Sequence, residues 1–193
     1  MRHDFQTIAD WIEPNAKVLD LGCGDGDLLK HLHDRRQTRG YGVELDDRHV
    51  LACVKNGVNV IQRDLEAGLA EFAAATFDYV VLSQTLQAVH HTEAILREML
   101  RVGREGIVTF PNFGYWKNRW QVLQGTMPVS ADIPYQWYDT PNVHLCTMHD
   151  FEALCAKLHI GIRERIVMTA GKRIHFLQNL TGSLAVYRFG HAA

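Results

Sequence analysis

The run Val18-Leu-Asp-Leu-Gly-Cys-Gly-Asp-Gly26 concentrates the residues best suited to chemistry. Its glycines, Gly22, Gly24 and Gly26, let the backbone turn tightly and approach a ligand with no Cβ in the way. Leu28, Leu29 and Leu32 follow at helical spacing, so the loop opens a helix whose first N–H groups are unpaired and aimed at the loop. A phosphate cradle uses the same physics, and the loop alone leaves the ligand open. Two details separate the readings. The spacing is G-x-G-x-G rather than the dinucleotide G-x-G-x-x-G, and no G-K-[ST] follows. Acids also flank the loop at Asp20, Asp25 and Asp27, which repel a pyrophosphate and attract a cation.

S-adenosylmethionine, with its sulfonium and ammonium, suits an acidic, glycine-lined pocket. Glu44 stands at the end of the next strand-like run, where an acidic side chain accepts hydrogen bonds from ribose hydroxyls. Asp64, beyond the third such run, is placed to meet the adenine amino group, with Leu65 packing nearby. Each carboxylate has an alternative role, capping a loop or the helix after it; two at successive strand ends behind this loop favour the ligand. Neighbouring Cys23, Leu45 and Ser83 complete the expected cofactor-binding set, Cys23 as a small loop residue rather than a nucleophile.

The elements that must position these residues alternate along the chain. Phe5, Ile8, Ala9 and Ile12 form a helical stripe closed by Pro14 and Asn15. Strands are expected at 17–21, 40–44, 58–61, 77–82 and 106–110, with intervening helices capped by Asp46 and Thr92 and one stopped at Asn56-Gly57. This succession predicts a parallel sheet covered by helices on both faces. After a helix at about 148–158, the runs 160–168 and 183–189 follow with no helix between them, which predicts an antiparallel pair at the sheet edge. The expected fold class is therefore α/β, a three-layer Rossmann-like fold around a mostly parallel seven-stranded sheet. No linker or repeat divides the 193 residues, so 1–193 reads as one domain with an aromatic-rich insertion at about 112–146.

Composition narrows the function classes. The chain is 47% hydrophobic, enough for a core without disulfide or metal staples. Twenty basic against 22 acidic residues leave no surplus to grip nucleic acid or an anionic membrane. No apolar run reaches the roughly 18 residues of a membrane span, and no signal-peptide pattern opens the chain. Cys23, Cys53, Cys146 and Cys155 lie far apart in sequence without a C-x-x-C pair, which suits free thiols in a cytoplasmic protein and gives no metal site.

With V-L-D-L-G-C-G-D-G as its first motif, the chain resembles class I S-adenosylmethionine-dependent methyltransferases. Longer runs narrow the likeness: Ile8-Ala-Asp-Trp-Ile12, Gly57-Val-Asn-Val-Ile-Gln62, Gln84-Thr-Leu-Gln87, Glu98-Met-Leu-Arg-Val-Gly103, Phe110-Pro-Asn-Phe-Gly114, Met127-Pro-Val129, Trp137-Tyr-Asp-Thr-Pro-Asn142 and His144-Leu-Cys-Thr147. These resemble the MetW methionine-biosynthesis family, from about residue 1 to 158. The resemblance implies a methyltransferase fold whose function is to partner homoserine O-acyltransferase, the enzyme that activates homoserine for methionine synthesis. It also implies cofactor contacts at Asp20, Gly22, Gly24, Gly26, Glu44 and Asp64.

A catalytic residue is harder to find. Amino-methylating enzymes of this fold carry Asn/Asp-Pro-Pro-Tyr/Phe after the fourth strand; here Ser83-Gln-Thr-Leu-Gln87 stands there. No Pro-Cys nucleophile follows that strand. Histidine is the residue type best suited to general-base work, yet His90 and His91 together before a helix cap read as loop residues. The insertion holds Trp116, Trp120 and Trp137 among further aromatics, with Lys117 and Arg119 interleaved. It reads as a substrate lid or a partner surface, with ordinary packing at the sheet end as the alternative. Two function classes result: a non-catalytic activator of the acyltransferase, and a methyltransferase acting on a small molecule through the same pocket.

Overall fold

The computed structural model describes residues 2–192. A single sheet runs through it, with helices on both faces. The elements in order are α1 (Asp4–Trp11), β1 (Lys17–Leu21), α2 (Asp27–Arg36), β2 (Arg39–Glu44), α3 (Asp47–Lys55), β3 (Val60–Gln62), β4 (Phe77–Ser83), α4 (Thr92–Val102), β5 (Gly103–Pro111), α5 (Trp116–Leu123), α6 (Met148–Lys157), β6 (Ile160–Thr169), β7 (Lys172–Arg173), α7 (Gln178–Thr181) and β8 (Leu184–His191). Single 3₁₀ turns at Leu65–Ala67 and Leu86–Ala88 follow β3 and β4.

The strand order is β3-β2-β1-β4-β5-β8-β6-β7. The first five are parallel, as the sequence predicts. Their alternate residues feed two cores. Leu19, Val80 and Leu82 pack on one face with Leu96 of α4 and Phe151 of α6. Val18, Tyr79 and Val81 pack on the other with Ile8 of α1 and Leu32 of α2. Because β2 leaves β1 on one side and β4 joins it on the other, the strand order reverses there and a crevice opens beyond their carboxyl ends. That switch point is where open α/β sheets bind ligands.

The terminal pair is antiparallel as expected, but it is not a simple edge hairpin. Strand β8 inserts between β5 and β6, antiparallel to both, and the segment joining β6 to β8 carries β7 and the helical turn α7. Burial explains the order: β8 is apolar on both faces and almost wholly buried, whereas β6 exposes its middle, Arg163 to Arg165 included. The two-residue β7 raises the strand count to eight.

Local chemistry sets several boundaries. Asp46 caps α3 by accepting from the Arg48 N–H, and Gly57, at φ +71°, turns the chain after it. A reciprocal capping box between Thr147 and Asp150 starts α6. Two expectations shift. The third strand begins at Val60 rather than Val58, because the Val58 N–H bonds back to Cys53 at the end of α3. Thr92 is the first residue of α4 and not its cap; its hydroxyl donates to the Val89 carbonyl.

Candidate functional site

The glycine loop crosses the end of β1 at the switch point, and each glycine has a distinct reason to be there. Gly22, Gly24 and Gly26 all adopt positive φ, at +69°, +55° and +80°. A Cβ on Gly22 would lie 2.7 Å from the Thr85 methyl, so the loop after β4 closes directly on the loop after β1. A Cβ on Gly24 would meet nothing within 4 Å, which makes this the open side of the loop. Gly26 is the residue preceding α2 and packs against Val58 and Cys53.

Glu44, at the end of β2, ties the loop to its neighbour. Its carboxylate accepts from the Gly24 N–H at 2.9 Å through one oxygen, and from the Leu45 and Asp46 N–H groups through the other. Beside it Leu45 is largely solvent-exposed, an apolar side chain on the rim of the crevice. Asp64 follows β3 and accepts from the Glu66 N–H, capping the turn at Leu65–Ala67. Glu44 and Asp64 thus both serve the capping role open to them from sequence. Each keeps acceptor capacity beyond these bonds, since a carboxylate offers about four lone-pair sites. Leu65 packs half-buried against the core under α4.

Asp20 is the unusual group. It is buried at the end of β1, and its Oδ1 has no hydrogen-bond partner. Burial pushes its carboxyl up to about 7; the Arg2 guanidinium opposes that rise, and Glu44 and Asp4 add to it. A buried acid left without a donor beside a glycine loop is the environment that an ammonium-bearing ligand would complete.

Cys23 turns inward. Its thiol lies 3.7 Å from that of Cys53, which donates to the Gly24 carbonyl at 3.0 Å. Burial, with Asp20 nearby, drives the Cys23 thiol far above its ordinary range, so it is no nucleophile at neutral pH. These two cysteines, distant in sequence, are neighbours in space.

Ser83, at the end of β4, belongs to a polar cluster that sequence reasoning missed. Asp4 of α1 is fully buried and accepts from Ser83 Oγ at 3.1 Å, from Thr109 Oγ1 at 3.2 Å and from Arg2 Nη2 at 2.6 Å. Arg2 Nη2 also donates to Ser83 at 2.6 Å. The signal was available: Asp4 shares a helix face with Ile8 and Trp11, an acid at a position where spacing calls for an apolar residue.

A cavity of about 580 Å³ lies further along the same loop, with walls of Leu86, Phe151 and Leu154 and a rim that includes Gln87, His90 and His144. The Gln87 carbonyl accepts from the Val143 and His144 N–H groups, which pins the end of the insertion to the loop after β4. His90 and His91 are exposed beside Glu66, at 3.6 and 3.9 Å. They stand on the cavity rim, and no hydrogen bond joins them to the glycine loop among the described residues.

A mostly parallel sheet with antiparallel strands at one edge, a glycine loop at the switch point and acids at the next two strand ends define the fold of S-adenosylmethionine-dependent methyltransferases. A solved methyltransferase of that kind from Archaeoglobus fulgidus superposes with a TM-score of 0.70 at 13% identity, covering 96% of this chain and 90% of that one. The chain belongs to a narrower family within that fold: the model of methionine biosynthesis protein MetW matches residues 2–189. The bifunctional methionine biosynthesis protein MetXA/MetW of Rhodopirellula baltica is 39% identical over 183 residues, which is 89% of this chain and 29% of that protein. The ubiquinone biosynthesis O-methyltransferase of Pseudomonas fluorescens is 29% identical over 115 residues, 54% of this chain and 49% of that one. The chain thus spans under a third of the bifunctional relative and about half of the methyltransferase.

Proposed function

We propose that this protein binds S-adenosylmethionine at the glycine loop and acts in methionine biosynthesis as the partner and activator of a homoserine O-acyltransferase. The observation that carries the partner role is the Rhodopirellula relative, in which a chain like this one forms part of a protein named for both MetXA and MetW functions. Fusion keeps two modules at high effective concentration, which selects for parts that work together.

Cofactor binding rests on fit. The unpartnered Asp20 carboxyl suits the ligand's ammonium, the open side of Gly24 admits its sugar, and the spare acceptors of Glu44 suit the ribose hydroxyls. Leu45 and Leu65 offer apolar surface to the adenine, with Asp64 at its amino edge. When bound, the ligand supplies an electrophilic methyl group or, unreacted, a report of how much methionine has been made. Nothing after β4 supplies a convincing base: Ser83 is engaged with Asp4, and His90 and His91 face Glu66.

The test is acyl transfer to homoserine by the acyltransferase, titrated with this protein, with and without S-adenosylmethionine. A saturable rise in rate is expected; a flat titration at micromolar concentrations of both proteins sinks the activator role. A second reading, methyl transfer to a small molecule, draws on the likeness to the ubiquinone-pathway enzyme and on the apolar cavity beside Gln87. It requires production of S-adenosylhomocysteine in the presence of cell extract, abolished by Gly24→Arg.

A further inference from the structure

The insertion between β5 and α6 leaves an apolar surface that the fold itself does not use. Ten of the seventeen large hydrophobic residues exposed among the described residues lie between 116 and 145. Trp116, Trp120 and Leu123 recur at helical spacing along α5, so they share one face, and that face points to solvent. The opposite face is held down: Asn118 is buried and donates to the Asn112 carbonyl. Trp137 and Tyr138 are each 71% exposed and pack edge to face at 5.8 Å.

This is a built platform rather than a loose loop. Gln121 of α5 both donates to and accepts from the backbone of Val129, which folds the following segment back on the helix. The insertion is closed at its base by the Phe113 N–H on the Cys146 carbonyl and by the bonds to Gln87. Its chemistry is also unlike the rest of the surface. Residues 112–146 hold four charged side chains, Lys117, Arg119, Asp132 and Asp139, among 35, while 42 of the 193 residues of the chain are charged. Depletion of charge with enrichment of aromatics, here three of the four tryptophans and three of the six tyrosines of the chain, is part of the compositional mark of an interface core. Two cations do not make a nucleic-acid groove.

We propose that the exposed aromatics of the insertion, Trp116 and Trp120 with Leu123 on α5 together with Trp137 and Tyr138, are where the acyltransferase docks. The proposal rests on the partner reading above, and the occupant is argued from the bifunctional relative, in which the matched segment is tethered within one MetXA/MetW chain. Contiguous exposed apolar groups of this kind mark interaction surfaces. Docking here would also bear on the cofactor pocket, because the insertion is pinned through Gln87 to the loop that closes on Gly22.

The experiment compares the full chain with a Trp116→Glu/Trp120→Glu variant and, independently, a Trp137→Ser/Tyr138→Ser variant, for binding to a purified homoserine O-acyltransferase by interferometry. Leu51→Glu, on the exposed side of α3, is the control surface change. Both double variants are expected to lose affinity at least 100-fold while keeping wild-type binding of S-adenosylhomocysteine, and Leu51→Glu to bind the acyltransferase as the wild type does. Wild-type affinity in both double variants overturns the proposed surface and leaves the partner role standing. No binding by the wild-type chain removes both. Self-association of the wild type that the same variants abolish, with acyltransferase binding unchanged, assigns the face to a second copy of this chain and also overturns the proposal.

Discussion

Asp20 shows how one buried carboxyl ties stability to pH. Its folded carboxyl titrates at about 7 against 3.8 in the unfolded chain, chiefly through desolvation. The folded state therefore holds a proton that the unfolded state releases above pH 4. This contribution to stability is fully present below about pH 4 and is lost as pH rises through 7, about 4 kcal/mol in total. Asp20→Asn removes that dependence, so the variant should gain stability over wild type as pH rises from 5 to 8 in urea unfolding; parallel curves would contradict the assignment. If the ligand's ammonium pairs with Oδ1, binding expels the proton. Affinity for S-adenosylhomocysteine should then strengthen between pH 6 and 8, with proton release seen by calorimetry in buffers of different ionisation enthalpy. Arg2→Ala removes the guanidinium hydrogen bond to the buried Asp4 and should cost about 2 kcal/mol, since the bonds from Ser83 and Thr109 remain.

Among the elements, the loops after β1 and β4 carry the sharpest contrast. Gly22→Ala and Gly24→Ala both impose left-handed backbone on alanine, a strain of about 1 kcal/mol. Only Gly22 also drives a Cβ into Thr85. Gly22→Ala should therefore lower the melting temperature by several degrees more than Gly24→Ala; equal shifts would mean that the two loops do not close on each other. The α6 capping box gives a separate check, since Thr147→Ala should cost about 1 kcal/mol without altering ligand affinity. Packing decided more than caps did at the carboxyl end. The β6 and β8 runs both read as strands, and what separates them is that β8 carries mostly apolar residues and can sit inside the sheet, while β6 carries Arg163, Glu164 and Arg165.

For the whole molecule, the glycine loop and the end of the aromatic insertion are joined by a short path. It runs from Gly22 through Thr85 and Gln87 to Val143 and His144. If occupancy of the pocket biases the platform, the acyltransferase and S-adenosylmethionine must change each other's affinity by the same factor, whatever its sign. Calorimetry with and without the second ligand should give one coupling factor measured from both directions. Equal affinities in the two conditions would show that the pocket and the platform act independently.

The sequence by itself determined the alternation of strands and helices, the glycine loop with its acids, and the family. These are local patterns: periodicity, turn chemistry and contiguous motifs survive without knowledge of the fold. Asp46 as a cap and Gly57 as a stop were legible for the same reason. Tertiary structure alone decided the rest. It placed β8 inside β6, brought Cys23 to Cys53, and gathered Arg2, Asp4, Ser83 and Thr109 from three elements and the chain ahead of α1. It also turned Trp116, Trp120 and Trp137 outward, where sequence left packing and exposure equally open. Such outcomes depend on which surfaces meet across the chain, and burial, which sets both the Asp20 carboxyl and the edge of the sheet, is a property of that meeting rather than of any residue.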